Sequence, residues 1–180
     1  MDISGIPLPT NCIPEMCIYM ENCRCPACGE VGYALVEQAL TPRPDGAMWY
    51  EINARCSSCG AERTFWFDVS QCGGKTVPET PSQLFDLMEW IMILFHLDQL
   101  PPTGNEQTDR IIKTRALVAV EQQLLFFDEG AETPRADAYF HTPGGPPLRI
   151  QAYLTRQRLE LRQRGMRAAA GWPPEASGSA

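Results

Sequence analysis

Between Val31 and Val69, apolar and polar residues alternate in three separate runs. Val31, Tyr33 and Leu35 mark the first, which ends near Leu40. Along the second, Met48, Tyr50, Ile52 and Ala54 alternate with Trp49, Glu51, Asn53 and Arg55. Along the third, Phe65, Phe67 and Val69 alternate with Thr64, Trp66 and Asp68. A period of two belongs to strands with one buried face, and Pro42-Arg43-Pro44-Asp45-Gly46 is a strong turn signal between the first two. Three antiparallel strands are expected.

Past residue 80 the period changes. Thr80 as N-cap, Pro81 at the first helical position and Gln83 completing a capping box predict a helix that runs to about Asp98 and stops before Pro101-Pro102. Its apolar residues, from Leu84 to Leu97, cover nearly every face, so burial on all sides is expected. A second helix spans Asn105 to Asp128, ahead of Gly130, with a broad apolar face. A third, from about Leu148 to Arg167, carries Ile150, Tyr153, Leu154 and Leu161 on one side. The expected fold is therefore α+β: a three-stranded antiparallel unit over 23–74, then a three-helix region over 78–170. Residues 1–22 read as an irregular, cysteine-bearing lead-in, because Pro7, Pro9 and Pro14 interrupt regular helix. The tail 171–180 reads as disordered.

The strand runs are bracketed by Cys25-Pro26-Ala27-Cys28-Gly29 and Cys56-Ser57-Ser58-Cys59-Gly60. Pro26 presets φ within its turn, and Gly29 tolerates the left-handed backbone that aims N–H groups at the sulfurs. Two such turns describe one four-thiolate metal site. Over roughly residues 23–70 the chain resembles the zinc ribbon, in which two knuckles clasp Zn²⁺ at one end of a small β-sheet. The order of ribbon, Pro-Ser-Gln-Leu-Phe-Asp-Leu-Met-Glu-Trp helix, Glu-Gln-Gln-Leu-Leu-Phe-Phe helix and arginine-rich terminal helix is also similar to uncharacterised bacterial zinc-ribbon proteins. The resemblance implies Cys25, Cys28, Cys56 and Cys59 as ligands of one Zn²⁺. An all-thiolate site of this kind is closed to substrate, hence structural.

Four more cysteines remain: Cys12, Cys17, Cys23 and Cys72. They make a second four-thiolate site or ordinary buried and free thiols. The latter is preferred, since their spacing is no recognised ligand pattern and cysteine behaves readily as a small hydrophobe.

Charge divides the chain. Residues 1–147 hold 9 Lys/Arg against 20 Asp/Glu, and residues 148–180 hold 6 Arg against 2 Glu, within a formal net charge of −7. An acidic body does not suit non-specific coating of DNA. The basic arm, with Arg149, Arg156, Arg158, Arg162, Arg164 and Arg167, docks on that body through Arg–carboxylate forks, or else it meets nucleic acid or an acidic partner. Arg24, Arg55 and Arg63 flank the knuckles and partly offset the charge of −2 that four thiolates leave around Zn²⁺, or else they contact nucleic acid; the neighbouring Glu30, Glu51 and Glu62 favour a mixed solvated surface and the first reading.

Catalytic signals are few. His96 and His141 lack a nucleophile signature around them. Asp86 and Glu89, three apart on one helix face, are a carboxylate pair or the wet edge of a buried helix. There is no P-loop, dinucleotide fingerprint or histidine-based zinc-protease motif. Met1–Pro9 shows no secretory signal, and the 14-residue stretch Leu84–Leu97 falls short of the roughly 20 residues a membrane span needs, so the cytoplasm is the expected location. The leading expectation is a zinc-binding structural or adaptor protein acting through a protein partner or self-association, without catalysis or a membrane. The alternative is a nucleic-acid-associated regulator that uses the arginine helix.

Overall fold

The computed structural model describes residues 7–72, 77–142, 144–151 and 154–169; the tail 171–180 lies outside them. The chain forms two compact units, residues 1–78 and 79–180.

In the first unit the three expected strands form as β2 (Tyr33–Pro42), β3 (Met48–Cys56) and β4 (Glu62–Asp68). They pair antiparallel, with Tyr33 opposite Cys56 and Ile52 opposite Phe65. The sheet is nevertheless four-stranded and mixed, because β1 (Leu8–Pro9) lies parallel to β4 in the order β1-β4-β3-β2. Nor is the lead-in irregular throughout: α1 covers Ile13–Asn22. Pro14 sits in its first turn, where a missing N–H costs nothing and a fixed φ favours the helix. The prolines precede or start this helix rather than prevent it. The Glu15 carboxylate turns back to accept from the Thr10 hydroxyl (3.0 Å) and the Asn11 N–H (2.7 Å).

α1 covers one face of the sheet. Met16, Ile18 and Met20 are buried, as are Ile52, Ala54, Phe65 and Phe67. Tyr19 meets the rings of Phe65 and Phe67 edge-on, at 6.3 and 5.9 Å between centroids. On the opposite face Trp49 packs edge-on against Trp66, and the Arg43 guanidinium lies 4.2 Å above the Trp49 ring. β2 is the free edge. Leu35, Val36 and Leu40 on it remain about half exposed.

In the second unit, α2 (Leu87–Gln99) starts later than Thr80. Asp86 is the N-cap: its Oδ1 accepts from the Glu89 N–H, and the Glu89 carboxylate accepts from the Asp86 N–H. This box prevails because the preceding residues have other partners. Ser82 Oγ accepts from the N–H groups of Leu84 and Phe85, and the Ser82 N–H donates to the buried Gln122 side chain at 2.8 Å. Leu84 and Phe85 are thereby turned inward and buried.

The expected all-round burial of this helix does not hold. Leu87, Trp90, Ile93 and Leu94 are buried, but Met92 and Phe95 are 51 % and 60 % exposed. The central element is α3 (Glu106–Leu125), whose residues 116–123 are all buried, Glu121, Gln122 and Gln123 included. Gln123 donates to the Trp90 carbonyl at 3.3 Å. Buried amides are tolerated because they find such partners.

A 3₁₀ turn follows at Ala136–Tyr139. The expected third helix is broken into a short turn, α4 (Leu148–Gln151), and α5 (Arg156–Ala169). The Thr155 hydroxyl accepts from the Arg158 N–H and so starts α5 afresh. With the helical phase reset, Leu159 and Gln163 face inward while Leu161, expected inside, is 65 % exposed. Among the described residues, no helix is long and apolar enough to cross a membrane.

Candidate metal centre

The two Cys-x-x-Cys-Gly segments fold into near-identical turns. In the first, the Gly29 N–H donates to the Cys25 carbonyl (2.8 Å) and the Cys25 N–H to the Glu30 carbonyl (2.7 Å). In the second, Gly60 donates to Cys56 (3.0 Å) and Cys56 to Ala61 (2.8 Å). Gly29 and Gly60 take φ of 79° and 75°, a left-handed backbone in which a side chain is strained. The hairpin of β3 and β4 carries the second knuckle. The Arg24–Val31 bridge closes the base of the first, and the Ser57 N–H on the Gly32 carbonyl at 3.1 Å ties the two together.

This brings the sulfurs of Cys25, Cys28, Cys56 and Cys59 within 4.8 Å of one another. Cys25–Cys59 and Cys28–Cys56 are each 3.7 Å apart. Sulfurs about 2.3 Å from a tetrahedral metal stand about 3.8 Å from one another, so the spacing fits a metal ion at the centre. Cys25 and Cys56 are buried, Cys28 and Cys59 exposed.

The thiols are electrostatically unequal. Cys25 is held down at about 6, first by a hydrogen bond from the Tyr33 hydroxyl, with the Ala27 and Cys28 N–H groups assisting. Cys56 is lowered by the Cys59 and Ser58 N–H groups. For Cys28, the Glu30 N–H favours the thiolate, but desolvation and the neighbouring sulfurs outweigh it and push the thiol to about 12. Four thiolates this close repel one another unless a cation sits among them. A soft dication with tetrahedral preference satisfies all four and leaves no coordination position open.

The flanking arginines hold distinct posts. Arg24 donates to the Gly29 carbonyl at 3.0 Å and braces the first turn. Arg55 pairs with Glu62 at 2.9 Å. Arg63 donates to the Cys23 sulfur at 3.3 Å and lies 4.8 Å above the Phe65 ring. Tyr33, an apolar position of a strand by its alternation, is buried and lies opposite Cys56 in the sheet.

Cys12, Cys17, Cys23 and Cys72 are not assembled into such a set; among the described residues, the four knuckle cysteines are the one group of three or more ligand atoms close enough to hold a metal. Cys23 lies against Arg63, near the start of β4, whereas Cys72 follows its far end. At about 3.3 Å per residue, that strand keeps the two well apart. Burial pushes the Cys12 thiol to about 12 and the Cys72 thiol to about 11, and Cys72 donates to the Thr10 carbonyl at 3.4 Å.

In the second unit, Arg156 donates to the carbonyls of Phe127, Asp128 and Ala131, closing the C-terminal end of α3. Arg162 forks onto Asp98, and Arg167 onto Glu121, with the Gln163 amide on the other oxygen of Glu121. Arg158 and Arg164 are exposed, and the side chain of Arg149 lies outside the described residues. Asp86 and Glu89 act as helix cap and tether: Asp86 accepts from the His141 N–H (3.0 Å) and Glu89 pairs with its Nδ1 (2.8 Å). His96 is exposed in the last turn of α2.

Compared with protein-family models, curated proteins and solved structures, the chain finds no match.

Proposed function

We propose that the four-cysteine cluster holds one structural Zn²⁺, making the first unit zinc-ribbon-like, and that the protein works through protein–protein contact rather than catalysis. The observation carrying this is the closed set of four sulfurs, which leaves the ion no position for substrate or activated water. Metal analysis of the purified chain should return one zinc per protein with no iron absorbance. A second zinc, an iron–sulfur spectrum or no metal at all overturns it.

The contact surface in this reading is the edge of β2, and its occupant a second copy of the chain. β2 is ten residues long and exposed along nearly its whole length. Exposed edges are usually blunted by Lys, Pro or shortness. Here Glu37 is the single charge, proline comes only at the last position, and one register shift interrupts the strand between Leu35 and Glu37. A two-fold antiparallel pairing centred on Gln38 sets that neutral residue opposite its own copy, Glu37 opposite Ala39 and Leu40 beside Val36, so no like charges meet across the pair. Zinc-loaded protein should sediment as a dimer, and Leu40→Lys should weaken dimerisation at least tenfold. A wild-type monomer at high concentration refutes the pairing. The engagement of Arg156, Arg162 and Arg167 within their own unit also supports protein contact over the nucleic-acid alternative.

A further inference from the structure

Within the second unit, two adjoining cavities open between the end of α2, the first half of α3 and the end of α5. The first, about 310 Å³, is mainly apolar, with Leu97 and Leu100 on one side, Ile112 and Ala116 on another and Met166 on the third. The second, about 490 Å³, is polar and carries Arg110 and Lys113. Lys113, Asp109 and Ala169 line both, so the two make one groove with an apolar and a cationic part. The acidic groups on its wall, Glu106 and Asp109, belong to the first turn of α3, where they complement the helix dipole. Asp109 is further engaged by the Thr103 N–H and hydroxyl, at 2.8 and 2.7 Å.

The described chain ends in this groove. Ala169 closes α5 and lines both cavities, and the sequence continues Ala170-Gly171-Trp172-Pro173-Pro174-Glu175. Trp172 comes three residues after Ala169, a reach of about 10 Å. Gly171 permits the left-handed turn by which a chain leaves a helix end and doubles back. An indole and two prolines suit the apolar cavity, and Glu175, the one charged side chain after Arg167, suits the cationic one. The prolines have a fixed φ, so ordering this segment costs less entropy than ordering most others.

We propose that the groove is the docking site of the chain's own C-terminal segment: Trp172 fills the apolar cavity, and Glu175 meets Arg110 and Lys113. The docked segment straps α5 to α2 and α3 and closes an apolar surface that is otherwise open to other molecules. This contact belongs to the second unit and is independent of the zinc reading.

The test is ¹⁹F NMR of the full chain labelled with 5-fluorotryptophan. The chain has four tryptophans, and Trp172→Phe identifies the resonance of Trp172. That resonance should lie away from the free-indole position and resist broadening by a soluble paramagnetic agent. Leu100→Glu places a charge on an exposed part of the apolar wall. It should return the Trp172 resonance to the free position and leave the other three in place. Lys113→Glu, on the exposed face of α3, removes one partner of Glu175 and should lower the docked-to-free ratio about threefold; it supplies the test if Leu100→Glu does not fold. A Trp172 resonance at the free position in the wild-type chain overturns the proposal, as does a displaced one that neither variant moves. A displacement that vanishes on dilution overturns it too, by assigning the groove to the tail of a second copy.

Discussion

Replacing Cys56 by serine, or withdrawing the ion with a strong chelator, should unfold the first unit and leave the second folded. Structural zinc supplies roughly 10–16 kcal/mol in small zinc modules, against a whole-domain stability of about 5–15 kcal/mol. The apolar core of the first unit consists of one face of a small sheet and a ten-residue helix, too little to stand without such a clasp. The second unit has its own core, around Trp90, Leu117, Val118, Val120 and Phe126, and contributes no ligand. The measurement is amide hydrogen exchange before and after chelation. Protection should vanish across β2, β3 and β4 and persist in α2 and α3. Uniform loss throughout the chain, or no loss in the strands, contradicts it. The sign with pH follows from the ligands, which bind as thiolates: acid competes with the ion for each sulfur, so the clasp weakens as pH falls.

Arg167→Met should destabilise the second unit by about 3 kcal/mol. Glu121 sits in the buried run of α3, and in its pair with Arg167 the side chains are only 7 % and 13 % exposed. Removing the arginine leaves a buried carboxylate with the Gln163 amide at 2.6 Å as a weaker partner. The penalty is that of an uncompensated charge and not the worth of the bridge. Two controls separate these. The double change Glu121→Leu with Arg167→Met removes both charges and should cost less than the single one. Arg162→Met breaks a pair whose side chains are 37 % and 36 % exposed, and solvent screening holds that loss to about 1 kcal/mol or less. Urea unfolding followed by helical circular dichroism reads all three, and equal losses for Arg162→Met and Arg167→Met would refute the argument.

The metal centre was legible because its determinants are local. Cys-x-x-Cys-Gly closes its own turn whatever surrounds it, and alternation from Met48 to Ala54 identifies a strand without knowledge of its neighbours. β1 and α1 were missed for the opposite reason. A two-residue strand has no period, and its pairing with Phe67 and Asp68 spans nearly sixty positions. Prolines that mark breaks in an isolated segment mark a helix start once that helix has a sheet to cover. The capping box at Thr80 lost to the one at Asp86 because Ser82 was drawn to Gln122 on another helix, a contact no local pattern records.

The amino-acid sequence by itself determined the two knuckles, their four sulfurs, the three long strands and the start of α3, since each depends on spacing within a few residues. Tertiary structure alone decided which helix is central, where the arginine helix breaks, and which arginines bury a carboxylate. Those outcomes depend on which side chains meet across the fold. Burial sets the energetic stakes of each polar group, and burial is a property of the packed chain.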